Sequence, residues 1–293
     1  MKYLKCCFFV FYLFSNSLLG QSIIENGSIL FEKNKEQIEL QEDVYQLINS
    51  FSNRIESKSL FEYRSEIYMY ALLFENHQRF NESIQLLNYL SKDLNIDKTH
   101  FTLDFIKIQF KMGLLYKNID VLDSANIKFE ECVLLLKESF GINNDLYCSA
   151  LQESANLLSD LFKFEKAKIR FEEALKLRRK HLANDKNKIT RLMNDMALNY
   201  HRMGKFNESI KLNKECLEVR LKNFGESYPG YLMTLNNLAS DYMALGDYQL
   251  AIELNQKCLE LRKKYLGENH NHTLMSLNNL GNLYYKIGNY EKS

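Results

Sequence analysis

A period of 42 residues governs this chain. Residues 234–248, TLNNLASDYMALGDY, return as residues 276–290, SLNNLGNLYYKIGNY. Stepping by 42 from Ala239 gives Ala71, Gly113, Ala155, Ala197, Ala239 and Gly281, all small. The same step from Ala251 gives Ser83, Ala125, Ala167, Ser209, Ala251 and Ser293, again all small. A bulky residue precedes that second column by three positions: Phe80, Leu122, Phe164, Phe206, Tyr248 and Tyr290. Another follows the first column by three: Phe74, Tyr116, Leu158, Tyr200, Tyr242 and Tyr284. A fixed period of this size is the signature of stacked repeats, in which no unit buries its apolar face alone.

Each window reads as two helices. Leu235, Leu238, Ala239 and Tyr242 fall at i, i+3, i+4 and i+7, one apolar stripe. Leu245-Gly246-Asp247 follows, with glycine to stop the first helix and aspartate to cap the second. Tyr248, Ala251, Ile252, Cys258 and Leu259 form the stripe of the second helix, interrupted by Asn255. Small residues let two backbones approach, and aromatics fill the space beside them. The single proline, Pro229, suits a nearly all-helical chain.

The spacing of small residue, aromatic, glycine and small residue resembles the tetratricopeptide repeat. The usual unit has about 34 residues. The longer period here, with Leu235-Asn236-Asn237-Leu238-Ala239 and Leu266-Gly267-Glu268-Asn269-His270, is similar to the kinesin light chain type of repeat. The family often has proline after that histidine, where this chain has Asn271. The likeness is most specific in the last three windows. Between residues 64 and 189, Gln78, Asp120 and Phe162 replace the turn glycine. The resemblance implies an all-α fold, a right-handed superhelical solenoid of antiparallel helix pairs. Complete windows run over residues 64–105, 106–147, 148–189, 190–231 and 232–273, with a partial one at 274–293. Residues 21–63 form a helical cap or degenerate repeat, whose clearest helix spans 36–55.

Residues 1–20 read as a secretory signal. Lys2 and Lys5 give the positive start, residues 6–14 the apolar core, and residues 15–20 the small-residue end, with cleavage expected before Gln21. An uncleaved anchor is the alternative, although the core is shorter than the ~20 residues of a spanning helix. The protein is then exported: periplasmic, cell-surface or extracellular. Formal net charge is +1, which gives no electrostatic case for nucleic acid or an anionic membrane. The final partial window ends on the first helix and is expected to expose Leu277, Leu280, Leu283 and Tyr284, so we expect further repeats, or another domain, after residue 293.

No catalytic constellation, metal site or cofactor motif is present in the sequence. Cys132, Cys216 and Cys258 share one column with Ala174, which marks a small core position. Cys148 lies off that column as a free thiol. His270-Asn271-His272 lacks a third ligand and reads as an inter-repeat loop. The run Lys176 to His181, with Arg178, Arg179 and Lys180, reads as a solvated helix end, with a surface for an acidic partner as the alternative, and scattered carboxylates read as solvent faces.

In tetratricopeptide arrays the first helices line a concave groove. The position three before the small anchor holds Tyr68, Phe110, Gln152, Asn194, Asn236 and Asn278. An amide offers both donor and acceptor to an extended peptide. In the kinesin light chain family such asparagines hold cargo peptides, so the resemblance implies partner binding by Asn194, Asn236, Asn278 and Gln152. Arg191, Asn156, His201, Met233 and Met243 lie nearby. The alternative is that these amides bond neighbouring helices and only fix the superhelix. Two functions follow. One is a non-enzymatic scaffold that binds a protein or peptide segment. The other is a docking or sensory part of a larger protein, with a caspase-like CHAT peptidase or a sensor histidine kinase beyond residue 293. A cytosolic motor adaptor is disfavoured by the signal.

Overall fold

The computed structural model describes residues 22–35, 44–52, 60–94 and 103–288. The expected signal, and the columns' last members Tyr290 and Ser293, lie outside them. Among the described residues there are thirteen helices and no strand. They are α1 (Ile23–Asn34), α2 (Val44–Ser52), α3 (Leu60–Asn76), α4 (Phe80–Leu94), α5 (Leu103–Asn118), α6 (Leu122–Ser139) and α7 (Asp145–Asp160). There follow α8 (Phe164–His181), α9 (Lys186–Arg202), α10 (Phe206–Phe224), α11 (Pro229–Leu245), α12 (Tyr248–Leu266) and α13 (Asn271–Lys286). The second helix of each of the five complete windows thus begins on the bulky column, at Phe80, Leu122, Phe164, Phe206 and Tyr248.

The turn before each of those starts has one geometry. Gly204, Gly246 and Gly288 are left-handed, with φ of 72°, 83° and 75°. Gln78, Asp120 and Phe162 hold the same conformation at φ of 60°, 60° and 59°. In every complete turn the next N–H reaches back five residues. Arg79 donates to the Phe74 carbonyl and Asp247 to that of Tyr242, both at 2.9 Å. These bonds satisfy the orphan carbonyls of the helix end and force the left-handed residue. A side chain there costs about 1–2 kcal/mol that glycine does not. Asp247 then caps α12 by accepting from the Leu250 N–H at 3.2 Å.

The described residues form two compact units, divided between Leu135 and Leu136. In the first, α3 packs on α1 and α4, and α4 on α5. Its core gathers Val44, Leu47, Phe51, Tyr63, Ile67, Phe74, Leu86 and Leu90. The small column acts here as a recess. A Cβ on Gly113 would lie 2.7 Å from the Phe129 ring. The two small columns also meet directly, since Ser83 donates to the Ala71 carbonyl at 2.8 Å.

In the second unit each helix from α7 to α13 packs on the next. Ser209 donates to the Ala197 carbonyl at 3.0 Å, the bond of Ser83 repeated three windows on. Cys216 and Cys258 are fully buried, each donating its thiol to a carbonyl at 3.3 Å, of Thr190 and Leu232 respectively. In the first unit Cys132 does the same toward Ile106 at 3.5 Å. Burial pushes the Cys132 thiol up to about 12 and that of Cys148 to about 11, so neither is a thiolate near neutrality.

Two expectations about charge are corrected. Arg178 is 1% exposed, not solvated. It stands four residues after Ala174 and seven after Phe171, on the apolar stripe of α8, and the period places it in one column with buried Arg220 and Arg262. Arg178 donates to Asp145 and Ser149, Arg220 to the Gly230 and Thr190 carbonyls and Thr234, and Arg262 to the His272 carbonyl and Ser276. Asp241 is likewise 1% exposed, because its column, with Leu157 and Leu283, faces the core. The exposed edge of α13 is also smaller than expected. Leu280 and Leu283 are buried against Ala251 and Ile252, leaving Leu277 open.

Candidate functional site

The amide column lies on the first helices α7, α9, α11 and α13, and the structure shows what its side chains touch. Gln152 donates to the Asp195 carboxylate at 2.7 Å, joined by Asn156 at 3.3 Å. Asn194 accepts from Asn237 at 3.0 Å, and Asn236 accepts from Asn279 at 2.9 Å. Each rung runs from one first helix to the next across 43 positions. The amides therefore do bond neighbouring helices. In the two asparagine rungs Asn194 and Asn236 take part only through their carbonyl oxygens. The amide N–H groups of Asn194 and Asn236 keep no partner among the described residues. Asn278, at the end of the column, is exposed.

Asp195 is the one charged rung. Burial pushes its carboxyl above the ordinary carboxylate range, and the bonds from Gln152 and Asn156 oppose that without cancelling it. Arg191, one turn earlier on α9, is exposed. His201 sits elsewhere in the network. Its Nδ1 lies 2.7 Å from the Asp241 carboxylate, and its ring packs edge-on against Phe206 at 5.2 Å. Ser209 and Asn213 donate to the other Asp241 oxygen at 2.7 and 2.8 Å. Asp241 thus ties α9 and α10 to α11. Sequence reasoning missed this junction, although the apolar members of its column signalled a core position.

The chemistry of the face changes along the array. α11 has a single charged residue, the buried Asp241, and α13 has only Lys286 besides His272. Met233 and Met275 are 42% and 53% exposed, one turn before Asn236 and Asn278. A thioether beside an amide recurs in both windows, on one helix face. Met243, seven residues after Asn236 on α11, is half-buried. In the first unit, Tyr68 and Phe110 fill the column with rings, Phe110 lying 5.7 Å from Phe129.

Among the described residues no group of His, Cys, Asp and Glu is placed to hold a metal. His270 instead caps α13, accepting from the His272 N–H at 3.2 Å. No described helix is long and apolar enough to cross a membrane.

The sequence profile of the tetratricopeptide repeat matches residues 149–181, 188–242 and 231–293. Residues 149–181 and 188–293 are tetratricopeptide repeats. No curated protein sequence matches the chain. Among solved structures it is similar to BtubC (BKLC) from P. vanneervenii, at 18% identity and TM-score 0.64, over 86% of this chain and 95% of that one. It is also similar to a kinesin light chain-type protein of Podosopora anserina with nearly identical TPR-like repeats, at 17% identity and TM-score 0.60, over 68% and 94%. A Rap protein solved with Competence and Sporulation Factor matches at 14% identity and TM-score 0.57, over 92% and 81%. These likenesses are of fold. The tetratricopeptide scaffold supports a role in protein–protein interaction, and the profile covers the windows that carry the amide rungs.

Proposed function

We propose that this protein is an exported, non-enzymatic scaffold that holds an extended peptide segment along the concave first-helix face of its carboxy-terminal windows. The observation that carries the reading is the pair of asparagine rungs. Asn237 and Asn279 hold the oxygens of Asn194 and Asn236, so the amide N–H groups are oriented in advance and free to donate to a peptide carbonyl. Preorganised donors lose little entropy on binding. The exposed Met233 and Met275 supply adaptable apolar contact beside them. The Rap protein with its bound factor is a structural relative that holds a ligand. Arg191 flanks the face on α9, and His201 holds its joint through Asp241.

The test is selection of displayed random 12-residue peptides on the full chain, followed by titration of synthetic copies against an Asn194→Ala/Asn236→Ala/Asn278→Ala variant. Loss of tenfold or more in affinity, with the fold intact by circular dichroism, supports the reading. Unchanged affinity for every selected peptide removes it. Export is checked separately, by finding whether the protein recovered outside the cytoplasm begins at Gln21.

A further inference from the structure

The turn between α7 and α8 carries a residue that its fold does not call for. Six turns share the left-handed position, and three of them hold glycine. Gln78 and Asp120 are polar and exposed, in keeping with a surface turn. Phe162 is neither small nor polar. It is 81% exposed, so its ring gains almost nothing from packing within the chain, yet it holds φ at 59°. A bulky side chain in this region is a conformational outlier. Strain of this kind, with so little return from packing, clusters at binding sites.

The surroundings say what would bind. Phe162 meets Phe164 edge-on at 5.9 Å. The two rings and Met203 border a shallow hollow of about 460 Å³ that Lys163, Lys166 and Lys205 also line. Nearby charges of both signs are accounted for as follows. Glu165 pairs with Lys205 at 3.1 Å, and Asp160 with Arg202 at 2.8 Å. Lys163 and Lys166 are exposed and form no ion pair among the described residues. The patch is an aromatic anchor with a positive surplus.

We propose that Phe162 anchors a second docking site, separate from the amide face, for an acidic peptide segment carrying one apolar side chain. The apolar side chain sits against Phe162, Phe164 and Met203, and the carboxylates face Lys163 and Lys166. Aromatic anchors are frequent binding hot spots once a partner covers them, and complementary charge around them sets specificity and on-rate.

The decisive variant is Phe162→Gly, because binding and stability should move in opposite directions. Displayed random 12-residue peptides are selected on the wild-type chain with soluble Phe162→Gly protein as competitor, and fluorescent copies are titrated against both. The expected peptides are rich in Asp and Glu around one Leu or aromatic residue. Their affinity should fall at least tenfold in Phe162→Gly and in Lys163→Gln/Lys166→Gln, and should weaken with salt. The thermal midpoint of Phe162→Gly should rise by about 2 °C or more. Phe162→Asn, which tolerates the left-handed region, serves as a second variant. The proposal is overturned if no Phe162-dependent peptide is enriched, if the enriched peptides are basic or uncharged, or if Phe162→Gly melts below wild type. It is equally overturned if the ring-dependent ligand is a phosphatidylglycerol vesicle or a second copy of the chain in sedimentation.

Discussion

The early and late windows share one frame, but three of its recurring positions change in chemistry between them. Up to residue 136 these three positions are apolar. The amide column holds Tyr68 and Phe110, the arginine column Leu94 and Leu136, and the column of Asn213 holds Leu87 and Phe129. In the later windows the same positions hold Gln152, Asn194 and Asn236, then Arg178, Arg220 and Arg262, then Asn213 and Asn255 after Phe171. The helices start in the same register in both regions. Apolar contact is non-directional, so it sets spacing and leaves orientation loose. Hydrogen bonds have direction, and they leave unused donors pointing to known places. The later windows thereby gain a surface as well as a core.

The largest expected effect comes from the arginine column. Arg220 donates to the Gly230 and Thr190 carbonyls and to Thr234. Arg220→Ala should cost about 3 kcal/mol or more by urea denaturation, from lost charge-assisted bonds together with a cavity. Arg220→Met restores volume without the bonds and should recover only part of that. Full recovery would mean that the later windows are held by packing after all.

Exchanging the turn residues gives the next effect. Gln78→Gly and Asp120→Gly should each raise stability by up to about 1 kcal/mol, the smaller gain at aspartate, because glycine adopts the left-handed turn without strain. Gly204→Gln should cost a similar amount. Thermal melts of the three variants would show whether the turn, rather than the interfaces, distinguishes the two regions.

A double-mutant cycle on Asn194→Ala and Asn237→Ala should give a coupling of about 0.5–1 kcal/mol, as for a partly buried pair of neutral groups. Additive losses would show that the rung does not join α9 to α11.

The smallest effect is a dependence on pH. Asp195 has a folded-state pKa above its unfolded value. Its stabilising contribution is therefore complete below the unfolded value and is lost as pH rises through the folded one. Asp195→Asn makes this rung an amide like the other two. It should flatten the pH dependence of stability across the range in which the carboxyl ionises, and should be the more stable protein at neutral pH. A wild-type profile unchanged by the substitution would mean that Asp195 is not strained by its burial.

Period, helix starts and the small columns were legible in the sequence, since each follows from a steric rule that acts locally. A helix stop needs a left-handed residue, and close backbones need small side chains. Even the replacements at Gln78, Asp120 and Phe162 were visible as departures at the right position. What could not be read was which way a polar residue faces. Arg178 in a basic run and Asp241 in an amphipathic helix look like solvated charges, and their burial depends on partners 30 or so residues away, Asp145 and Ser149 for Arg178, Ser209 and Asn213 for Asp241. The amide column was found from the period, but whether its members meet one another was decided by the packing of α7, α9, α11 and α13. A charge can be buried only where other groups replace its water, and those groups come together only in the tertiary structure.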